Sequence, residues 1–133
     1  MPAPHPTLRV LIADNSPQVL KRLGSMITEC QGVQLVGEVQ SGGAALESFK
    51  QLQPDVVILD VRMPGGGLPL LQQIRAQRLP ATVIFLSAYA YPQTCAAYLG
   101  AGADYFFDKA SEFEQVLDVL TALMRQPGSA CPA

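Results

Sequence analysis

Apolar positions along this chain alternate between two periods. Short β-branched runs are followed, five times over, by stretches in which apolar residues return every three or four positions. Leu8 to Ala13 predicts a strand, and Asn15-Ser16-Pro17 opens a helix with Ser16 as its cap and Pro17 in the first turn. Val19, Leu20, Leu23, Met26 and Ile27 give that helix one buried stripe, which Gly32 closes. From Val33 to Val39 the pattern alternates, with Val33, Leu35 and Val39 expected on one face and Gln34, Glu38 and Gln40 polar. This predicts a half-exposed strand at a sheet edge. Ser41 caps a second helix carrying Ala45, Leu46, Phe49 and Leu52, which Pro54 stops. Val56-Val57-Ile58-Leu59 is apolar throughout, the signature of a strand covered on both faces. After Pro64-Gly65-Gly66-Gly67 comes a third helix with Leu70, Leu71 and Ile74. Val83 to Leu86 is a second fully buried strand, and a fourth helix runs from Pro92 to Leu99 before Gly100 and Gly102. Tyr105 to Phe107 gives the fifth strand, and Phe113, Val116, Leu117, Leu120 and Leu123 mark the last helix. Residues 7–125 thus read as one domain between an N-terminal tail, 1–6, and a C-terminal tail, 126–133.

Strict alternation of strand and helix implies an α/β fold: a doubly wound, five-stranded parallel sheet with right-handed crossovers and helices on both faces. Ligands of such sheets sit at the carboxyl ends of the strands. In this chain those ends carry Asp14-Asn15, Asp60, Ser87 and Lys109. Carboxylates crowded together repel unless a cation joins them, and hard oxygen donors of this kind suit Mg²⁺. An ammonium and a hydroxyl beside them would complete a site for a phosphoryl group, with a carboxylate able to act as nucleophile. Each residue also has a plainer role: Asp14-Asn15 can simply open a helix, and a lysine is usually solvated. It is the set, each member at the matching strand end, that points to chemistry.

Composition narrows the function classes. Of 133 residues, 49% are hydrophobic and 15% charged, enough apolar material for a packed core. The net charge of −2 offers no basic footprint for direct nucleic-acid binding. Apolar runs stay far below the ~20 residues that span a bilayer, so no membrane insertion is expected. The first residues, Met1-Pro2-Ala3-Pro4-His5-Pro6, do not resemble a secretory signal. Cys30, Cys95 and Cys131 are an odd set without metal-ligand spacing, which suggests reduced thiols and a cytoplasmic setting. His5 is a lone histidine in a proline-rich tail and is read as solvated.

Four segments resemble the signature segments of two-component response-regulator receiver domains. They are Ala13-Asp14-Asn15-Ser16-Pro17, Pro54 to Gly65 with Asp60 and the following Met63-Pro64-Gly65, Leu86-Ser87-Ala88, and Gly102 to Lys109. The similarity implies the flavodoxin-like strand order 2-1-3-4-5, an order carried over from known folds of this kind. It implies that Asp60 accepts a phosphoryl group from a histidine kinase or histidine phosphotransfer protein. Asp14, Asn15, Asp60 and the Arg62 backbone carbonyl would be the Mg²⁺ ligands. Ser87 would hydrogen-bond the phosphate and Lys109 would pair with it, while Ser87 and Phe106 would form the switch. It further implies an output face on the fourth helix, fifth strand and fifth helix, here offering Tyr91, Cys95, Tyr98 and Tyr105 to a protein partner or a second copy. Catalysis beyond self-phosphorylation and slow self-dephosphorylation is not expected.

The chain departs from the family pattern in places. Asn15 stands where a second acidic residue is usual, so one negative charge is missing and Mg²⁺ should bind more weakly. Ala110 follows Lys109 where many members have a cis proline, and a non-proline cis bond costs about 3 kcal/mol, so a trans bond is expected. Phe106 lacks a hydroxyl, and plain core packing explains it as well as a switch role does. Arg62 and Tyr89 flank the approach of hydrolytic water in the family, and both are bulky; they are read as hydrolysis-modulating. Two other classes remain in view: a receiver-shaped interaction module that has lost phosphorylation control, and an enzyme or cofactor binder on a similar fold. The second lacks its motifs, since Gly65-Gly66-Gly67 is not followed by Lys-Ser/Thr and Asp60 lies on the third strand.

Overall fold

The computed structural model describes residues 7–124. The tail readings, with His5, Arg125 and Cys131, lie outside the described residues. The elements are β1 (Leu8–Ala13), α1 (Pro17–Thr28), β2 (Val33–Val39), α2 (Gly42–Leu52), β3 (Val56–Asp60), α3 (Gly67–Ala76), β4 (Thr82–Ser87), α4 (Pro92–Gly100), β5 (Tyr105–Asp108) and α5 (Gln115–Met124). All strand pairs are parallel, and their order is β2-β1-β3-β4-β5, as the resemblance implied.

Local chemistry accounts for the boundaries. Ser16 Oγ accepts from the Val19 amide at 3.3 Å, and Ser41 Oγ accepts from the Ala44 amide at 3.2 Å. Each thereby satisfies one of the donors that a helix leaves free at its start. α2 ends on Gln53 in the left-handed conformation, φ 47°, just before Pro54.

The sheet divides two apolar layers. On one side Leu11, Val57, Leu59 and Phe85 pack against Phe49 of α2, Leu71 and Ile74 of α3, and Tyr98 of α4. On the other, Val10, Ile12, Ile58 and Ile84 meet Leu23 and Ile27 of α1 and Val116 and Leu120 of α5. Side chains buried this fully contribute about 1.5–3 kcal/mol each. The central strands are therefore a stiff floor for whatever their ends carry.

Three expectations are corrected. The predicted face of β2 is wrong, because its register shifts between Val10 and Leu11, which pair with Leu35 and Gly37 and leave Val36 as an extra residue. A bulge reverses the alternation. Val33 and Leu35 accordingly face α1 and α5, whereas Val36 and Val39 pack on the layer of α2 and α3. Tyr98, assigned to the output face, is a core residue at 7% exposure, and Cys95 is only partly exposed. Phe113 precedes α5 rather than belonging to it; it is buried, with the Arg22 guanidinium 4.2 Å above its ring.

Candidate functional site

Among the described residues only three polar side chains are buried, Asp14, Asp60 and Ser87, and all three stand at the carboxyl edge of the sheet. Asp14 follows β1, Asp60 ends β3 and Ser87 ends β4. Lys109 follows β5 and brings its ammonium between the two carboxylates, 2.7 Å from Asp14 Oδ2 and 3.1 Å from Asp60 Oδ1. The strands deliver these groups because their own backbone is locked: Asp14 N–H donates to Val39 O, Val61 N–H to Leu86 O and Lys109 N–H to Ser87 O.

Second contacts aim each group. The Ser16 amide donates to Asp14 Oδ1 at 2.8 Å, and the Arg62 amide to Asp60 Oδ1 at 3.2 Å. Both Asp60 contacts fall on Oδ1, which leaves Oδ2 for chemistry. Ser87 Oγ accepts from its own loop, from Tyr89 N–H at 3.0 Å. Below Lys109, Asp108 Oδ1 accepts from the amides of Ala110 and Ser111, and Glu112 Oε1 accepts from the Asp108 amide. Those amides hold the Asp108 carboxyl below the usual carboxylate range. This turn fixes where Lys109 starts, and its Lys109–Ala110 bond is trans.

Electrostatically the cluster is short of positive charge. Burial pushes the Asp14 carboxyl above its ordinary 3.8, and the neighbouring Asp60 charge adds to that, while Lys109 and the Ser16 amide oppose it. Asp14 Oδ2 is buried without a well-aligned donor, its one polar neighbour being the Lys109 ammonium. Two carboxylates sharing one ammonium, with a carboxylate oxygen left over, suit a hard divalent cation. The donors fit Mg²⁺: Asp14, Asp60, the Arg62 carbonyl and the exposed Asn15 amide would hold it. With asparagine in the fourth role, no three acidic, histidine or cysteine side chains are grouped so as to hold a metal ion by themselves among the described residues.

Arg62 and Tyr89 do meet. The guanidinium lies 4.9 Å from the Tyr89 ring centroid, and Tyr89 in turn stacks on Tyr91 at 6.2 Å. With Val61, Ser87 and Thr94 they line an open cleft of about 410 Å³ that Ser87 shares with the strand edge. Phe106 points inward and is 9% exposed, its ring 5.2 Å from that of Tyr98. Sequence reasoning missed Tyr98 and the Asp108–Glu112 turn. The Asp108-x-x-Ser111-Glu112 spacing could have signalled the turn, but nothing local marks Tyr98 as internal.

A family model for the response regulator receiver domain matches residues 10–121. The chain belongs to that family. The receiver domain is 34% identical over 119 residues to a probable transcriptional regulatory protein NarL of Mycobacterium tuberculosis, covering 88% of this chain and 55% of the relative. It is also 34% identical over 119 residues to a protein-glutamate methylesterase/protein-glutamine glutaminase of Syntrophomonas wolfei, covering 87% of this chain and 33% of that one. The chain therefore spans a third to about half of these relatives' length. Among solved structures, the signal receiver domain of NarL from Mycobacterium tuberculosis superposes with a TM-score of 0.82 at 30% identity, covering 90% of this chain and 98% of that one. CheY in a CheX–CheY–BeF3–Mg complex from Borrelia burgdorferi does so with a TM-score of 0.80 at 28% identity, covering 90% of each chain. No helix among the described residues is long and apolar enough to cross a membrane.

Proposed function

We propose that this receiver domain is a cytoplasmic phosphorylation switch whose acceptor is Asp60. The observation that carries this reading is that two buried carboxylates, Asp14 and Asp60, share one ammonium at the strand edge where buried Ser87 also stands. A histidine kinase or histidine phosphotransfer protein presents phosphohistidine to the cleft. Asp60 Oδ2 attacks phosphorus, a phosphorus–oxygen bond forms, and the phosphorus–nitrogen bond breaks with its electron pair passing to the imidazole nitrogen. Lys109 leaves Asp60 for the incoming phosphoryl oxygens and Ser87 turns its hydroxyl toward them; such positioned charges supply most of the catalysis in phosphoryl transfer. Mg²⁺, when bound by the residues named above, supplies further neutralisation of phosphoryl charge. One carboxylate, one ammonium, one divalent cation and one dianionic phosphoryl group then cancel, so Asn15 is compatible with a neutral phosphorylated site.

Arg62 and Tyr89, joined over the cleft, keep water from an in-line approach and make self-dephosphorylation slow. No other catalysis is assigned to the domain. Its output is read by a protein partner, or a second copy, at the face of α4, β5 and α5, where Tyr91, Leu99 and Tyr105 are exposed. The competing reading, an interaction module without phosphorylation, draws on Asn15 alone and leaves the buried Asp14 and Asp60, paired with Lys109, without a purpose.

The test is incubation with acetyl phosphate and Mg²⁺, followed by mass-spectrometric location of the label. Label on Asp60 that disappears in Asp60→Asn is the expected result. Undiminished labelling of that variant would sink the assignment.

A further inference from the structure

Lys109 reaches both carboxylates on a long, rotatable stem, so its ammonium is only as well placed as the backbone it springs from. That backbone is held on every side. Asp108 pairs with Ser87 in the register of β4 and β5, and the Lys109 amide donates to Ser87 O at 2.9 Å. The Asp108 side chain then reaches past Lys109. Its Oδ1 accepts from the Ala110 amide at 2.7 Å and from the Ser111 amide at 3.1 Å. Glu112 returns the contact: its Oε1 accepts from the Asp108 amide at 2.9 Å, and its own amide donates to Asp108 O at 2.9 Å. Lys109 thus lies inside a closed turn, between the end of β5 and the start of α5. Asp108 adjoins Lys109 and carries the opposite charge, yet the ammonium pairs with Asp14 and Asp60. The Asp108 carboxylate is engaged by backbone amides instead, and they hold its pKa below the ordinary value. One of those donors, the Ala110 amide, exists only because residue 110 is not proline.

We propose that Asp108 is a positioning residue for phosphoryl transfer: by gathering the Ala110 and Ser111 amides, its Oδ1 fixes the backbone from which Lys109 reaches the phosphoryl group. The inference rests on Asp60 being the acceptor. Before phosphorylation two carboxylates at strand ends hold the ammonium from the far side. Once Asp60 Oδ2 is bonded to phosphorus, Asp60 no longer carries a carboxylate charge. The ammonium's new partners are phosphoryl oxygens, which no strand holds in place. Its placement then depends on its own root, and that root is the turn that Asp108 closes. Both side-chain contacts fall on a single oxygen, so Asp108→Asn keeps them while removing the charge, and Asp108→Ala loses them.

The experiment titrates wild type, Asp108→Ala, Asp108→Asn and Ala110→Pro in two ways. Mg²⁺ alone is followed by amide NMR, and beryllofluoride at saturating Mg²⁺ by fluorine NMR. Asp108→Ala should bind this phosphoryl mimic roughly tenfold more weakly, about the loss of one hydrogen bond to a charged group. Mg²⁺ alone should bind it no more weakly than wild type, because a loosened ammonium competes less for Asp14 and Asp60. Asp108→Asn should bind both as wild type does. Ala110→Pro removes the 2.7 Å donor and leaves the carboxylate in place. It should show the same split as Asp108→Ala, and it keeps the test decisive if that variant does not fold. A merely structural turn would lower the melting temperature with the mimic's affinity unchanged, or would weaken Mg²⁺ and mimic alike; either result overturns the proposal. So does an Asp108→Asn variant as weak as Asp108→Ala, since charge would then be the contribution and not position. A wild type that binds no beryllofluoride removes the Asp60 reading, and this proposal with it.

Discussion

Two adjacent glycines at the start of α2 should respond to alanine with opposite signs. A Cβ on Gly42 would stand 1.8 Å from Gly65 O and 2.2 Å from Gly65 C, whereas a Cβ on Gly43 meets nothing within 4 Å. Real Cβ contacts do not fall below 3.0 Å. Gly42→Ala therefore forces α2 and the loop behind Asp60 apart by about 1.2 Å, an amount set by overlap with rigid backbone. That movement breaks the hydrogen bond from Gly42 N–H to Pro64 O, now 2.6 Å long. The bond is worth about 0.5–1.5 kcal/mol, and overpacking costs about 1–3 kcal/mol more. The combined loss of about 1.5–4.5 kcal/mol lowers the melting temperature of a domain this size by about 5–16 °C. Gly43→Ala, in open space on a helix, should instead gain up to about 0.5 kcal/mol. Urea unfolding followed by circular dichroism, with equal slopes for the two variants, measures both. If their midpoints differ by less than about 0.5 kcal/mol in stability, the backbone contact does not hold the loop and the reasoning fails.

Two further outcomes follow from the site. Opening the cleft with Arg62→Asn and Tyr89→Glu should speed loss of phosphate from Asp60 by roughly tenfold, about 1.4 kcal/mol of barrier; single-turnover decay at saturating Mg²⁺ measures it, and an unchanged rate refutes the shielding role. Asp14 offers a pH test, because its folded-state pKa is raised chiefly by burial. A carboxyl with a raised pKa is most favourable when protonated, so its contribution to stability is lost as pH climbs from the ordinary 3.8 through the raised value. In metal-free buffer Asp14→Asn should therefore melt higher than wild type at neutral pH, with the gap closing as pH falls toward that ordinary value. A variant that melts lower at neutral pH would show that the Lys109 pairing outweighs the burial cost.

The order of elements, the caps at Ser16 and Ser41 and the fully buried β3 and β4 were legible in the chain itself. They depend on local periodicity and on side chains that bond their own backbone, which neighbours in sequence suffice to define. The strand-end residues were legible for the same reason: a parallel sheet brings Asp14, Asp60, Ser87 and Lys109 to one edge whatever packs around it. What only the tertiary structure decided are the relations between distant segments. The bulge at Val36 reversed the face of Val39, because register along an edge strand is set by its partner β1 and not by its own alternation. Tyr98 went inward because α4, rich in small residues and weakly amphipathic, does not announce a buried face; the space between Phe85 and Phe106 settles it. Likewise the sharing of one ammonium by two carboxylates is a distance between strand ends, and the contact of Gly42 with Gly65 is a distance between loops. Such distances emerge only once the sheet has fixed where each strand stops.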